Sequence, residues 1–152
     1  MIIKVGDFAD PLVMDLLEIH LSGMHKNSPP ESVYALDYSG LQESDVTFWT
    51  ISDGPYVMGC GALKELSLAQ GEIKSMRTHP EYLRRGVAAK MLEHILSVSN
   101  SRSYKKLSLE TGSGPAFDPA VELYKKYGFK NGDAFGDYEK SPFNQFMHLE
   151  IS

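Results

Sequence analysis

Apolar residues recur along the chain with two distinct periods. Val13, Leu16, Leu17, Leu21 and Met24 return at helical spacing directly after Asp10-Pro11, which predicts a helix with Asp10 as its cap and Pro11 in its first turn. Ser28-Pro29-Pro30-Glu31 interrupts it, and Glu31 to Leu36 reads as a short second helix. From Arg85 onward, Val87, Ala88, Met91, Leu92, Ile95 and Leu96 form one apolar stripe, predicting an amphipathic helix of about 14 residues. A last helix runs from Pro119 to Tyr127 and stops at Gly128, a suitable C-terminal cap. Runs rich in β-branched and aromatic residues predict strands at Met1–Val5, Val46–Ile51, Tyr56–Leu63, Glu72–Thr78, Lys106–Thr111 and Phe143–Ile151. Asp53-Gly54-Pro55 turns the second strand into the third, and Pro80 ends the fourth. Strands followed by helices in this mixed order predict an α/β or α+β sheet with helices on its faces.

Composition narrows this to one unit. With 152 residues, 42% of them hydrophobic, the chain can close a single sizeable core, and it carries no repeat or low-complexity linker, so residues 1–152 are expected to form one domain. No apolar run approaches the ~18 residues of a membrane span, and the start is polar again by Asp7; the expectation is a cytoplasmic protein without a membrane partner. The lone Cys60, within Val57-Met58-Gly59-Cys60-Gly61-Ala62, reads as a small buried hydrophobe. His20, His25, His79, His94 and His148 lack metal-ligand spacing and read as surface or satisfied histidines, so no metal is expected.

A net charge of −5 and a pI near 5.5 argue against a nucleic-acid partner. Basic residues nevertheless gather in the middle of the chain, at Lys74, Arg77, Arg84, Arg85 and Lys90. That stretch runs strand, tight turn, arginine pair, glycine, helix. At a helix start, unpaired N–H groups and the positive end of the dipole converge, and Gly86, Ala88 and Ala89 are small enough to admit a phosphate close to the backbone. An anionic small ligand fits.

The run Leu83-Arg84-Arg85-Gly86-Val87-Ala88 resembles the acyl-CoA motif of GNAT acyltransferases, in which Gln or Arg, two residues, Gly, one residue and Gly or Ala follow a central strand; Gly86 and Ala88 match, and Leu83 stands at the Gln/Arg position. Ala120-Val121-Glu122-Leu123-Tyr124-Lys125-Lys126-Tyr127-Gly128-Phe129 is similar to the family's A-x-x-L-Y-x-x-x-G-F signature. The resemblance implies a GNAT-like fold and an N-acetyltransferase that moves an acetyl group from acetyl-CoA to a primary amine of a small molecule or peptide, by direct attack in a ternary complex. It assigns the phosphates to the main chain of Arg84, Arg85, Gly86, Val87, Ala88 and Ala89. Pantetheine pairing goes to the strand at Met76, Arg77 and Thr78, with the Met76 N–H as oxyanion donor.

In the same resemblance Tyr124 protonates the leaving thiolate, with a phenol of ordinary pKa near 10. Phe117 stands where many relatives have Asn. Glu72 occupies the position of a catalytic glutamate, and Glu110, at the end of the next strand, is the second candidate base if the two strands diverge. The acceptor pocket is expected between the first two helices, with Met24, Ser28, Glu31 and Tyr34 binding substrate. The loop Phe135-Gly136-Asp137-Tyr138 would close the other side, its aspartate favouring a cationic acceptor. The competing expectation is a non-catalytic acyl-CoA-binding module. An exposed apolar edge of the last strand would allow a homodimer.

Overall fold

The computed structural model describes residues 1–30 and 36–151. The short helix expected over Glu31–Leu36 therefore lies outside the described residues, except for Leu36 itself. Helix α1 spans Pro11–Asn27; the Asp10 side chain accepts from the Leu12 N–H at 2.9 Å, and Pro11 fills the first turn, where its missing N–H costs nothing. The helix buries Val13, Leu16, Leu17 and His20, the last a polar residue on a face that the spacing alone marks as apolar. A single turn, α2, follows at Tyr38–Leu41 with Asp37 as cap.

Three antiparallel strands come next: β2 (Val46–Asp53), β3 (Tyr56–Glu65) and β4 (Gln70–Thr78), with β1 (Ile2–Val5) paired to β2. A 3₁₀ turn at Pro80–Tyr82 leads into α3 (Val87–Ser101). Then come β5 (Lys106–Thr111), α4 (Asp118–Lys126), β6 (Lys130–Asn131) and β7 (Gln145–Glu150). The seven-stranded mixed sheet has the order β1-β2-β3-β4-β5-β7-β6, with β4–β5 its parallel pair. Helices cover both faces. Val13, Leu16 and Leu17 of α1 pack with Phe48, Val57, Cys60 and Ala62 on one side. Met91, Leu92 and Ile95 of α3 join Val121 and Tyr124 of α4 on the other.

The long helices and six of the strands follow the order expected from the sequence, while the turn of helix at Tyr38–Leu41 and the two-residue β6 were not expected. One expectation needs correction: the last strand is no free edge for a second subunit, because β7 lies between β5 and β6. Its apolar residues Phe146 and Met147 are buried within the chain's own core.

Two irregularities in β4 place the site. Pairing with β5 covers only Gln70–Glu72 against Lys106–Ser108, so the strands part company from Ile73 and Leu109 onward. Pairing with β3 shifts between Cys60 and Ala62, leaving Ser75 and Met76 without a register partner in either neighbouring strand, and Ser75 takes φ 55°. Gly61 sits opposite this bulge because nothing larger fits: a Cβ there would lie 2.7 Å from Met76 Sδ and 2.7 Å from Met91 Cγ.

Candidate active site

The parting of β4 and β5 opens a cleft of ≈160 Å³ into the middle of the sheet. Its walls carry Glu72, Lys74, Ser75, Met76 and Arg77 from β4, Glu110 from β5, Tyr124 from α4, and Met24 from α1. The two carboxylates, the tyrosine and the bulged strand thus share one space.

Glu72 is buried and bound on two sides: Lys74 Nζ lies 3.1 Å from its Oε2, and the Tyr138 hydroxyl donates to the same oxygen. Lys74 Nζ also donates to the Tyr138 hydroxyl at 2.6 Å and lies over its ring, 5.3 Å from the centroid. The late loop expected to close the cleft reaches two of its wall residues, Glu72 and Lys74, through Tyr138, which does not itself line the cleft. Asp137, expected to attract a cation, is exposed and does not line the cleft.

Glu110 is held differently. Asn144 Nδ2 donates to its Oε2 at 2.7 Å, and Ser141 Oγ donates to Asn144 Oδ1 at 2.9 Å, which turns the amide so that its NH₂ faces the carboxylate. Burial drives the Glu110 carboxyl up to about 7, opposed by Lys74 and reinforced by Glu72. A carboxyl poised at this value exchanges a proton near neutral pH.

Tyr124 is buried, 6% exposed, with its ring 5.6 Å from that of Phe129. Burial pushes its phenol well above the ordinary tyrosine range, which corrects the expectation of a value near 10. Phe117, at the position where relatives carry Asn, packs edge-on against Phe143 at 5.4 Å. Cys60 is buried, its thiol pushed up to about 12 by burial, and it donates to the Ser75 carbonyl oxygen at 3.2 Å; the inert reading stands.

Past the open end of β4, Arg84 (φ 63°) and Gly86 (φ 79°) take left-handed conformations, and Gly86 caps α3 with no side-chain hydrogen bond to the first turn. The N–H groups of that turn have no partner inside the helix, and a Cβ on Gly86 would meet no atom within 4 Å, so the space above it is open. Thr78 and the turn from Arg84 to Ala89 lie outside the cleft walls, at the end of the strand that leads from it. Arg84 and Arg85 are exposed.

Several expected contacts fall elsewhere. The Arg77 side chain reaches α1, where its Nε–H donates to His20 Nδ1 at 3.0 Å. Ser28 is buried beyond the end of α1, its Oγ without a partner among the described residues, and it does not line the cleft, whereas the expected Met24 does, together with Asn27. Glu31 and Tyr34 lie outside the described residues. His148 is satisfied by Ser108 Oγ at 2.7 Å and the Asp133 carbonyl at 2.8 Å, but His94 Nε2 is buried without a partner, contrary to expectation. Among the described residues no group of three or more His, Cys, Asp or Glu could hold a metal ion, and no helix is long and apolar enough to cross a membrane.

Residues the sequence reading missed are Asn144, Ser141, His20 and Ser75, whose buried hydroxyl lines the cleft without a partner. Only Ser75 had a local signal, its position beside Met76 on the central strand.

A mixed sheet splayed at one parallel pair, bulged beside the opening and followed by an uncapped helix defines an acyl-CoA N-acyltransferase fold, and the chain belongs to the GNAT acetyltransferase family, whose model matches residues 13–129. It is an acyltransferase by class. Among its relatives is the N-acetyltransferase YedL of Escherichia coli (strain K12), itself uncharacterized, 46% identical over 149 residues, covering 98% of this chain and 94% of that protein. The fold is shared with a candidate acyl-CoA N-acyltransferase from Klebsiella pneumoniae, with a TM-score of 0.81 at 24% identity over 99% of this chain and 97% of that one. It is also shared with a GNAT family acetyltransferase from Elizabethkingia anophelis with acetyl-CoA bound, with a TM-score of 0.72 at 17% identity over 99% and 97%.

Proposed function

We propose that the protein transfers an acetyl group from acetyl-CoA to a primary amine by direct attack in a ternary complex. The observation that carries this reading is the cleft itself. It places two carboxylates and a tyrosine around a bulged strand whose far end runs into an open, uncapped helix start. The acetyl-CoA complex of the Elizabethkingia anophelis relative supports the choice of donor.

In this reading the pyrophosphate rests on the main chain of Arg84 to Ala89, where the dipole of α3 and exposed N–H groups favour an anion. The pantetheine arm lies along Met76 to Thr78, where β4 has lost its β5 neighbour, and extends the sheet as an added strand would. The thioester carbonyl then sits at the Met76 N–H, a donor aimed at the oxygen that turns negative.

The amine enters from the α1 side. Glu110 is the base that removes its proton. Of the two carboxylates, Glu72 is already engaged by Lys74 and Tyr138, while Glu110 has one side-chain donor among the described residues, Asn144, and titrates near neutrality. The amine nitrogen bonds to the carbonyl carbon, the carbon–sulfur bond breaks, and the sulfur takes a proton from Tyr124. Burial raises the phenol, which keeps its proton in place until the sulfur departs. Cys60 takes no part.

The test is thiol release from acetyl-CoA against a panel of amines, with acetyl-CoA affinity measured separately. The expected result is turnover that falls by about 10²-fold or more in Tyr124→Phe at nearly constant acetyl-CoA affinity. Acetyl-CoA binding without turnover for any amine would favour the binding-module alternative, and absence of acetyl-CoA binding would end the reading altogether.

A further inference from the structure

Arg77 is the cation in the cleft whose charge nothing described balances. Lys74 is paired with Glu72 at 3.1 Å, but among the described residues no carboxylate comes within ion-pair distance of Arg77. Its guanidinium is fixed by neutral groups: Nε–H donates to His20 Nδ1 at 3.0 Å, and an NH₂ group approaches the His20 carbonyl oxygen at 3.5 Å. Burial, with the Arg77 charge adding to it, holds the His20 imidazole down at about 3, so the ring stays neutral and brings no charge of its own.

The site is also shaped for the group. Gly23 on α1 leaves room for the guanidinium, since a Cβ there would lie 3.1 Å from one of its terminal nitrogens. Arg77, His20 and Gly23 all line the cleft that holds Glu110. A half-buried guanidinium whose terminal nitrogens have donors to spare is a fork for a planar two-oxygen anion. The pantetheine arm does not supply one there, because the arm runs along the β4 backbone while Arg77 reaches away to α1.

We infer that the Arg77 guanidinium is the subsite for a carboxylate on the acceptor, so that the amine acetylated by this enzyme belongs to an amino acid or a similar small amine bearing a carboxylate. The inference rests on the acetyl-transfer reading above and names the acceptor class of the same site. His20 acts as a positioning residue that aims the guanidinium. The acceptor is then held at both ends, its carboxylate by Arg77 and its amine by Glu110.

The test compares pairs of acceptors that differ in the carboxylate, amino acids and their carboxamides, such as glycine with glycinamide and phenylalanine with phenylalaninamide, with each rate referred to the free-amine fraction set by that acceptor's own amine pKa. Thiol release is followed for the intact protein, Arg77→Gln and Arg77→Lys, and calorimetry measures binding of each acceptor to the CoA-loaded protein. The intact protein is expected to favour the carboxylate member by about 10- to 100-fold in kcat/KM, the range for one hydrogen-bonded charge pair. Arg77→Gln is expected to collapse that ratio toward one and Arg77→Lys to restore part of it. A variant that merely unsettles the fold would lower both members of each pair alike and leave the ratio intact, which would overturn the inference. So would equal turnover of acids and amides by the intact protein. If no acceptor is turned over, binding decides: carboxylates that fail to bind the CoA-loaded protein overturn it, whereas failure of CoA itself to bind strikes the acetyl-transfer reading.

Discussion

Glu110 illustrates how far a residue's neighbours, rather than its type, decide its chemistry. Burial raises its carboxyl to about 7 in the folded protein, against an unfolded value near 4.3. Because the folded value is the higher one, the stability this group contributes is fully present below the unfolded pKa and is lost as pH rises through about 7. Glu110→Gln removes that loss while keeping an acceptor for Asn144. The variant should therefore gain on the order of 1–3 kcal/mol relative to the intact protein between pH 5 and pH 8, measured by denaturant unfolding at both values. An unchanged difference would mean that the carboxyl titrates normally.

His20 runs the opposite way. Its folded pKa is depressed to about 3, so the stability it contributes is present above the unfolded value and lost as pH falls. Neither shift was legible in the sequence, since both come first from burial, which only the folded packing of distant elements creates, and then from charges elsewhere in the chain. The hydrogen-bond partners are as remote: Asn144 lies 34 residues from Glu110, and Arg77 lies 57 from His20. The candidate bases could be named from their places on two strands, but choosing between them required seeing that Lys74 and Tyr138 had already engaged one.

At the scale of elements, the bulge in β4 is the device that turns a strand into a site. It frees Ser75 and Met76 from the ladder, and Gly61 across from it is the space the bulge occupies. Gly61→Val would push a branched side chain into Met76 and Met91, 2.7 Å from the first added atom, at a cost of roughly 1–3 kcal/mol. The expected outcome is a lower Tm together with weaker acetyl-CoA binding, because the strand proposed to receive the pantetheine would shift. A lower Tm with unchanged acetyl-CoA affinity would show that the bulge has no part in the cofactor site. Helices and strands were legible because their periods are strong, as α3 shows with Val87, Met91, Leu92 and Ile95 on one buried face. The bulge was not, because Lys74-Ser75-Met76-Arg77 carries neither glycine nor proline to announce a break in pairing.

For the whole molecule, the fold divides the work between the two faces of one sheet. The α3–α4 side offers the turn proposed for the phosphates and Tyr124, the α1 side offers Arg77 and His20, and the splay between β4 and β5 joins them. The segment between β6 and β7 closes the assembly by bringing Tyr138 onto Glu72 and Lys74. Tyr138→Phe keeps the ring over Lys74 but removes those hydrogen bonds. It should cost about 1 kcal/mol of stability and raise the acceptor's KM more than it lowers kcat; an effect on kcat alone would place the hydroxyl in the chemical step instead. The succession of the main strands and long helices could be read from the chain, and so could the order of the motifs, but the sheet order that sets β7 between β5 and β6 could not. The closure could not, since it joins Glu72 to a residue 66 positions away.

The central claim is that an amine is deprotonated by Glu110 and acetylated at the splay. The measurement that bears on it most directly is the pH dependence of kcat/KM for thiol release from acetyl-CoA, in the intact protein and in Glu110→Gln, with the best acceptor of the amine panel. The account predicts a rate that climbs through a pH near 7 in the intact protein, and a Glu110→Gln variant slower by about 10²- to 10⁴-fold that has lost this rise. A variant that keeps both the rate and the rise would contradict it.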